Sequence, residues 1–352
     1  MNEKSITTIT LKKINKKSVY QYIYEHRQTA KQQIVQDLTM GLSTVSQNLN
    51  VLEKEGLISR DGFFESTGGR KAQVIQIVPE YRIAVGVGIL KNMFHLAAVN
   101  LYGEAIAEET VAVPFAQSDA YYDGIASSLE SFLDRNGYDR EKILGVSIAT
   151  QGIPAPDGES VLYGEILHNT DMKLADFSTR IPYPCRLEHD SKAAASLELW
   201  NHPEIESAVV FLLNRNLGGA VITNHKVHQG LSMHSGTLEH ICIDPEGPEC
   251  YCGQKGCLET YCSANALEAA AQMPVKEFFP ALRAGNDARL MEIWDAYLSH
   301  LAYAMKTANL LLDGAVIVSG YLAPYFKEED CRTLLENCLL YTSPSPRDST
   351  SS

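Results

Sequence analysis

At 352 residues the chain is long enough for two or three domains with sizeable cores. It has no apolar run behind a basic N-terminus and no stretch of eighteen or more apolar residues, so neither a signal peptide nor a membrane span is expected, and the chain reads as cytoplasmic. The net charge of −13 is unevenly divided: residues 1–79 carry eleven Lys/Arg against seven Asp/Glu, a net +4, which leaves −17 for the rest. A basic head on an acidic body implies that any polyanion is met by the head.

Residues 12–60 read as three helices with short turns. Val19, Tyr22, Ile23 and His26 share a face at helical spacing, and Ile34, Val35 and Leu38 form a second stripe after Thr29. Thr39 to Leu42 makes a turn, Ser43 is placed to cap a third helix, and Val45, Leu49 and Leu52 point inward from it. The start and opposite face of that helix carry Ser43, Thr44, Ser46, Gln47, Asn48 and Asn50. Small hydroxyls and amides there suit major-groove reading, since they reach phosphates and base edges without charge repulsion. Taken one at a time, each is equally an ordinary solvated residue.

Gly56 ends the helix. Leu57–Arg60 and Ala72–Val78 read as two strands of a wing, with Asp61-Gly62 as a turn signal. Arg70, in Ser-Thr-Gly-Gly-Arg-Lys between them, is positioned to enter a narrow minor groove. Pro79–Arg82 is a linker, followed by buried strands at Ile83–Val87 and Phe94–Val99. Asp287–Leu312 is a long amphipathic helix whose apolar face includes Leu290, Trp294, Tyr297, Leu298, Leu301, Met305 and Leu311; such a face is usually core.

Five of the eight cysteines fall between Cys242 and Cys262, which suits a metal site in a reducing compartment better than a disulfide framework. Cys250, Cys252 and Cys257 lie within eight residues, and His240 stands ten positions before the first. Cys3His is one of zinc's closed structural sets, and Gly253 and Gly256 supply the positive φ that a tight metal knuckle needs. The alternative is three buried free cysteines. Cys242 and Cys262 read as packing residues, with Cys242 a candidate spare ligand.

The run Cys-Tyr-Cys-Gly-Gln-Lys-Gly-Cys-Leu-Glu at 250–259, with His240 before it, resembles the cysteine signature of the ROK family (repressors, open reading frames and sugar kinases). The resemblance implies an α/β fold: a winged helix–turn–helix at 1–79, then a two-lobed, actin-like ATPase (ribonuclease H-like) ROK body at 80–337. It implies a structural zinc held by His240, Cys250, Cys252 and Cys257, which braces a sugar pocket. Gly-Gly-Arg at 68–70 is similar to the segment after the winged helix in ROK repressors, a head that the family's kinases lack.

The resemblance is uneven. Where family kinases carry Asp-x-Gly-Gly-Thr this chain has Gly88-Ile89-Leu90-Lys91-Asn92, and the second phosphate loop aligns with Asn214 to Ala220. Ser319 replaces one glycine of a third nucleotide element. A working ATP site is therefore not expected. On the sugar side, Asp190 matches the kinase general base, and His240 and Glu259 match sugar-contacting positions. His189 and Thr237 replace an asparagine and a glutamate at two more, and Gly152 borders the same pocket.

The chain thus reads as a non-catalytic regulator, a repressor of carbohydrate genes. It would bind double-stranded operator DNA as a homodimer or homotetramer and respond to a small sugar-like effector. The alternatives are a sugar kinase with an added head and a repressor controlled by a protein partner. Residues 338–352 resemble the translation of a sequencing adapter, so the natural chain is expected to continue past Asn337.

Overall fold

The computed structural model describes residues 8–65 and 71–338. It divides into two compact units, one of residues 1–84 with 98–107 and 138–144, the other of the remaining segments.

The first unit opens with α1 (Thr8–His26), β1 (Gln28–Thr29), α2 (Lys31–Asp37) and α3 (Leu42–Lys54), then β2 (Ile58–Ser59) and β3 (Ile75–Ile77). Val19, Tyr22 and Ile23 of α1 pack with Ile34, Val45, Leu49 and Leu52, all buried, because each helix has its apolar residues on one face. His26 leaves that core and stacks its ring on Tyr22. Tyr22 donates its hydroxyl to Asp37, which ties α1 to α2.

Two readings of this unit need correcting. α3 begins at Leu42 with Gly41 as its N-cap residue, so Ser43 lies inside the first turn and caps nothing. The sheet has three strands in the order β1-β3-β2, and the returning strand is only Ile75–Ile77, preceded by a bridge from Phe63 to Gln73. The Gln28-Thr29 strand was not legible, because two residues show no alternation.

The rest of the chain runs β4 (Ile83–Leu90), β5 (Met93–Val99), β6 (Ala105–Val111), α4 (Asp119–Arg135), β7 (Ile143–Thr150), β8 (Ile153–Pro154), β9 (Val161–Tyr163), α5 (Ala175–Ser178), β10 (Cys185–His189) and α6 (Asp190–Asn201). It continues as β11 (Ala208–Leu213), β12 (Leu217–Thr223), β13 (Lys226–Val227), α7 (Glu259–Cys262), α8 (Ala264–Ala271), α9 (Val275–Ala284), α10 (Ala288–Leu312), β14 (Ala315–Ser319) and α11 (Glu328–Cys338). One sheet has the order β10-β7-β4-β5-β6, the other β13-β12-β11-β14. β4 extends three residues past the expected Val87, so Leu90 ends a strand and the turn is Lys91-Asn92.

β11 is buried along its whole length and β12 along all but its last residue. A strand covered on both faces reads as a continuous apolar run, and both do. One face of the β11–β12 pair receives Ala195 of α6, and the other packs on α7, α8 and α10. In α10 Leu290, Trp294, Tyr297, Leu298, Leu301 and Met305 are buried as expected, whereas Leu311 is 84% exposed and lies off that face. Among the described residues no helix is long and apolar enough to cross a membrane.

Leu49 is 1% exposed at the centre of the small helical core. Leu49→Ala removes buried methyl groups and leaves a cavity, a loss of about 2–5 kcal/mol. The expected outcome is at least ~30-fold faster hydrogen exchange at the α1–α3 amides, equivalent to about 2 kcal/mol.

Candidate metal centre and ligand cleft

The metal candidates converge. His240 closes a short 3-10 turn at Leu238–His240, and the three cysteines come from the loop that follows. The loop closes on itself through Ile243 N–H to Gly256 O at 2.8 Å, Gly256 N–H to Pro248 O at 2.8 Å and Leu258 N–H to Ile241 O at 2.8 Å. Gly256 has φ +66°, and a Cβ there would lie 1.5 Å from the Asp244 carbonyl oxygen, so only glycine lets the two passes of the loop meet.

The four ligand atoms of His240, Cys250, Cys252 and Cys257 lie within 4.8 Å of one another. Cys250 Sγ is 3.7 Å from His240 Nδ1, and Cys252 Sγ is 3.7 Å from Cys257 Sγ. A tetrahedron with metal–sulfur bonds of ~2.3 Å has sulfur–sulfur edges of about 3.8 Å, so the donor set fits a thiophilic divalent ion. Burial pushes the Cys250 and Cys257 thiols up, which a bound cation reverses by stabilising the thiolates. Cys262 is fully buried and accepts no ligand role: its sulfur faces the Tyr297 carbonyl, and Cys242 lies by the Lys255 carbonyl.

A cleft opens beside this centre, lined by Gly152, His189, Asp190 and His240 from the expected set. Its cavity is about 30 Å³, far below the ~300 Å³ of small ligand sites, so a pyranose enters only when lining side chains withdraw. Asp190 opens α6 and accepts the N–H of Ser191 at 2.7 Å. His189 contacts the Ser191 hydroxyl through Nδ1 at 2.8 Å, and burial lowers the imidazole's affinity for a proton.

Two expected residues stand elsewhere. Thr237 donates its hydroxyl to the His234 carbonyl at 3.1 Å and does not line the cleft. Glu259 also lies outside the lining. Its Oε1 accepts from Asn216 Nδ2 at 2.8 Å and its Oε2 from Leu217 N–H at 2.6 Å, while burial pushes the carboxyl up to about 7. Both oxygens therefore anchor the turn between β11 and β12.

Glu239, Glu165, Tyr163, Gln151, Asn216 and Tyr251 also line the cleft, and no site role was expected of them from sequence. Glu239 is 5% exposed, and burial pushes its carboxyl up to about 8. Its position gave a signal: a charged residue directly before the candidate metal-ligand histidine.

On the head, Ser43 and Gln47 are exposed, whereas Thr44, Ser46 and Asn48 are half-buried. Asn48 donates its amide to the Thr44 carbonyl at 2.9 Å, within its own helix. Arg70 lies outside the described residues.

The site thus stands on a mixed α/β body, with a metal-ready loop beside a cleft. Residues 82–323 match the ROK family, and the chain belongs to it. It is 25% identical over 263 residues to the DNA-binding transcriptional dual regulator NagC of Escherichia coli K12, covering 73% of this chain and 64% of that protein. It is 23% identical over 273 residues to the xylose repressor of Bacillus subtilis, covering 76% and 70%. The chain thus spans less than two thirds of the length of NagC. Among solved structures, a ROK family transcriptional regulator homologous to the E. coli MLC protein superposes with a TM-score of 0.71 at 18% identity, over 93% of this chain and 88% of that one. A ROK glucokinase of Streptomyces griseus, solved with glucose and AMPPNP, superposes with 0.66 at 20% identity, over 74% and 90%.

Gly256→Ala is expected to prevent closure of the metal loop. Metal analysis of the purified protein should give one equivalent of divalent ion per chain for the native sequence and well under a tenth of that for the variant; equal content in both would refute the account of the loop.

Proposed function

We propose that this protein is a transcriptional regulator, a repressor of carbohydrate genes, that binds operator DNA through residues 1–79 and senses a sugar-like effector through a non-catalytic body at 80–337. The observation that carries this reading is the head. The fold shared with the regulator extends over 93% of the chain, against 74% for the glucokinase. Three helices and a small sheet precede the ROK match, and they are the basic part of the molecule. In this reading they form a winged helix–turn–helix, with α3 entering the major groove and Gln47 and Ser43 reaching base edges or phosphates. Arg70 supplies the wing contact.

The state of the nucleotide loop supports a body without kinase activity. A phosphate site needs free backbone N–H groups. Here the Leu217 N–H is engaged by Glu259 at 2.6 Å and the Asn214 N–H by the Leu212 carbonyl at 3.0 Å. These groups are satisfied by the chain itself.

The metal in this reading is a structural zinc held by His240, Cys250, Cys252 and Cys257. It supplies no chemistry to a reaction; it fixes the loop that presents His240 and Glu239 to the cleft. Asp190, His189 and Gly152 form the facing wall, and Asp190 would accept an effector hydroxyl. The effector acts by preferring one arrangement of a cytoplasmic homodimer or homotetramer, since equal affinity for both would shift nothing. The tail reading for 338–352 falls almost entirely outside the described residues.

Operator binding measured by anisotropy on DNA upstream of the protein's own operon should weaken steeply with salt, on the order of 10³-fold between 50 and 200 mM. Gln47→Ala should lose about 1–3 kcal/mol and relax base preference, and Arg70→Ala should weaken binding and flatten the salt slope. Salt-insensitive binding would count against the reading. No ATP consumption is expected with any hexose, and turnover above background would restore the kinase alternative.

A further inference from the structure

The Glu239 carboxylate is the odd group in the cleft. It is 95% removed from solvent, yet its Oε2 has no hydrogen-bond partner among the described residues. Its other oxygen is 4.0 Å from His240 Nε2, beyond hydrogen-bond length, so the histidine does not satisfy it. A buried acceptor in that state is costly unless a donor arrives.

The surroundings specify the donor. Three carboxylates line the cleft, Glu165, Asp190 and Glu239, with no lysine or arginine among the lining residues. The nearby Lys192 is turned away: its Nζ donates to the carbonyls of Met233 at 2.5 Å and Gln229 at 3.4 Å. The acids are not a metal cage, because among the described residues the one group whose ligand atoms converge is His240 with the three cysteines. What the wall lacks is an organic cation that also donates hydrogen bonds, whereas a phosphate ester would meet the Glu165 and Asp190 carboxylates and no lysine or arginine among the lining residues.

We propose that the cleft selects a hexose bearing a free primary ammonium group, held by Glu239, and discriminates against its phosphorylated and N-acetylated forms. The proposal rests on the reading of this cleft as the effector site. With the lining side chains withdrawn, the amine would bring three donors and a full charge to the Glu239 carboxyl, and the ion pair so formed would hold that group as the carboxylate, while the hydroxyls of the same ring reach Asp190. Acetylation removes the charge and two of the three N–H donors that the Glu239 oxygen would take.

The test uses the full-length, metal-loaded protein and isothermal titration with glucosamine, galactosamine and mannosamine, their neutral parent hexoses, N-acetylglucosamine and glucosamine 6-phosphate. The expected result is that one free hexosamine binds at least about 10-fold tighter than its parent hexose, with the acetylated and phosphorylated forms weaker than the parent. Glu239→Gln keeps the size of the side chain and should bring hexosamine and hexose to equal affinity with metal content unchanged. If Glu239 only positions His240, the variant instead lowers metal content and weakens all sugars alike, which overturns the proposal. A parent hexose equal to or tighter than its hexosamine also overturns it, while leaving the effector reading standing. Binding of no sugar at all overturns both.

Discussion

The clamp between Glu259 and the turn at Asn216-Leu217 is the constraint on which the site depends. Glu259 stands two residues after Cys257, so the loop that gathers the metal ligands also delivers a carboxylate to the first N–H of β12. The side-chain amide of Asn216 takes the second oxygen at 2.8 Å. One acidic side chain thus joins the cysteine loop to the central strand pair of the second sheet. Asn216 and Leu217, held this way, form one wall of the cleft, while His240 and Glu239 form another. Charge-assisted bonds to backbone N–H are among the stronger contacts available to a protein, and burial strengthens these further.

Much of this arrangement was legible because it is written in residue types with few other uses. Three cysteines and a histidine at short spacing announced a metal knuckle, and the structure brings their ligand atoms together. The inward faces of α1 and α3 followed from period, and the strand-to-helix passage at His189-Asp190 from the resemblance. What escaped was direction. Sequence pattern places Glu259 beside the cleft but does not say which way its carboxylate turns, and the N–H of Leu217 decided that. Thr237 and Glu239 are a similar case. Two residues apart on a 3-10 turn, they face different surroundings, and the carboxylate, not the hydroxyl, faces the cleft.

The head shows the limits of local pattern in another way. Gly41 takes the cap position that Ser43 was expected to fill, because the chain reaches helical geometry two residues earlier and Val45 N–H already bonds to the Gly41 carbonyl at 3.0 Å. The strand at Gln28-Thr29 exists through its pairing with Ile75 and Gln76, a partner more than forty residues away. Such a strand has no signature of its own. It is defined by tertiary context, which overrides weak propensity.

The captured Leu217 amide has a consequence for how such a protein could change over time. For that amide to serve any other acceptor, Glu259 must first release it, and release would cut the tie between β12 and the segment that follows the cysteine loop. Replacing Asn216 alone leaves the carboxylate on the Leu217 N–H, so no single side-chain change in the turn reopens it. A change in either loop is therefore felt in the other through that one side chain.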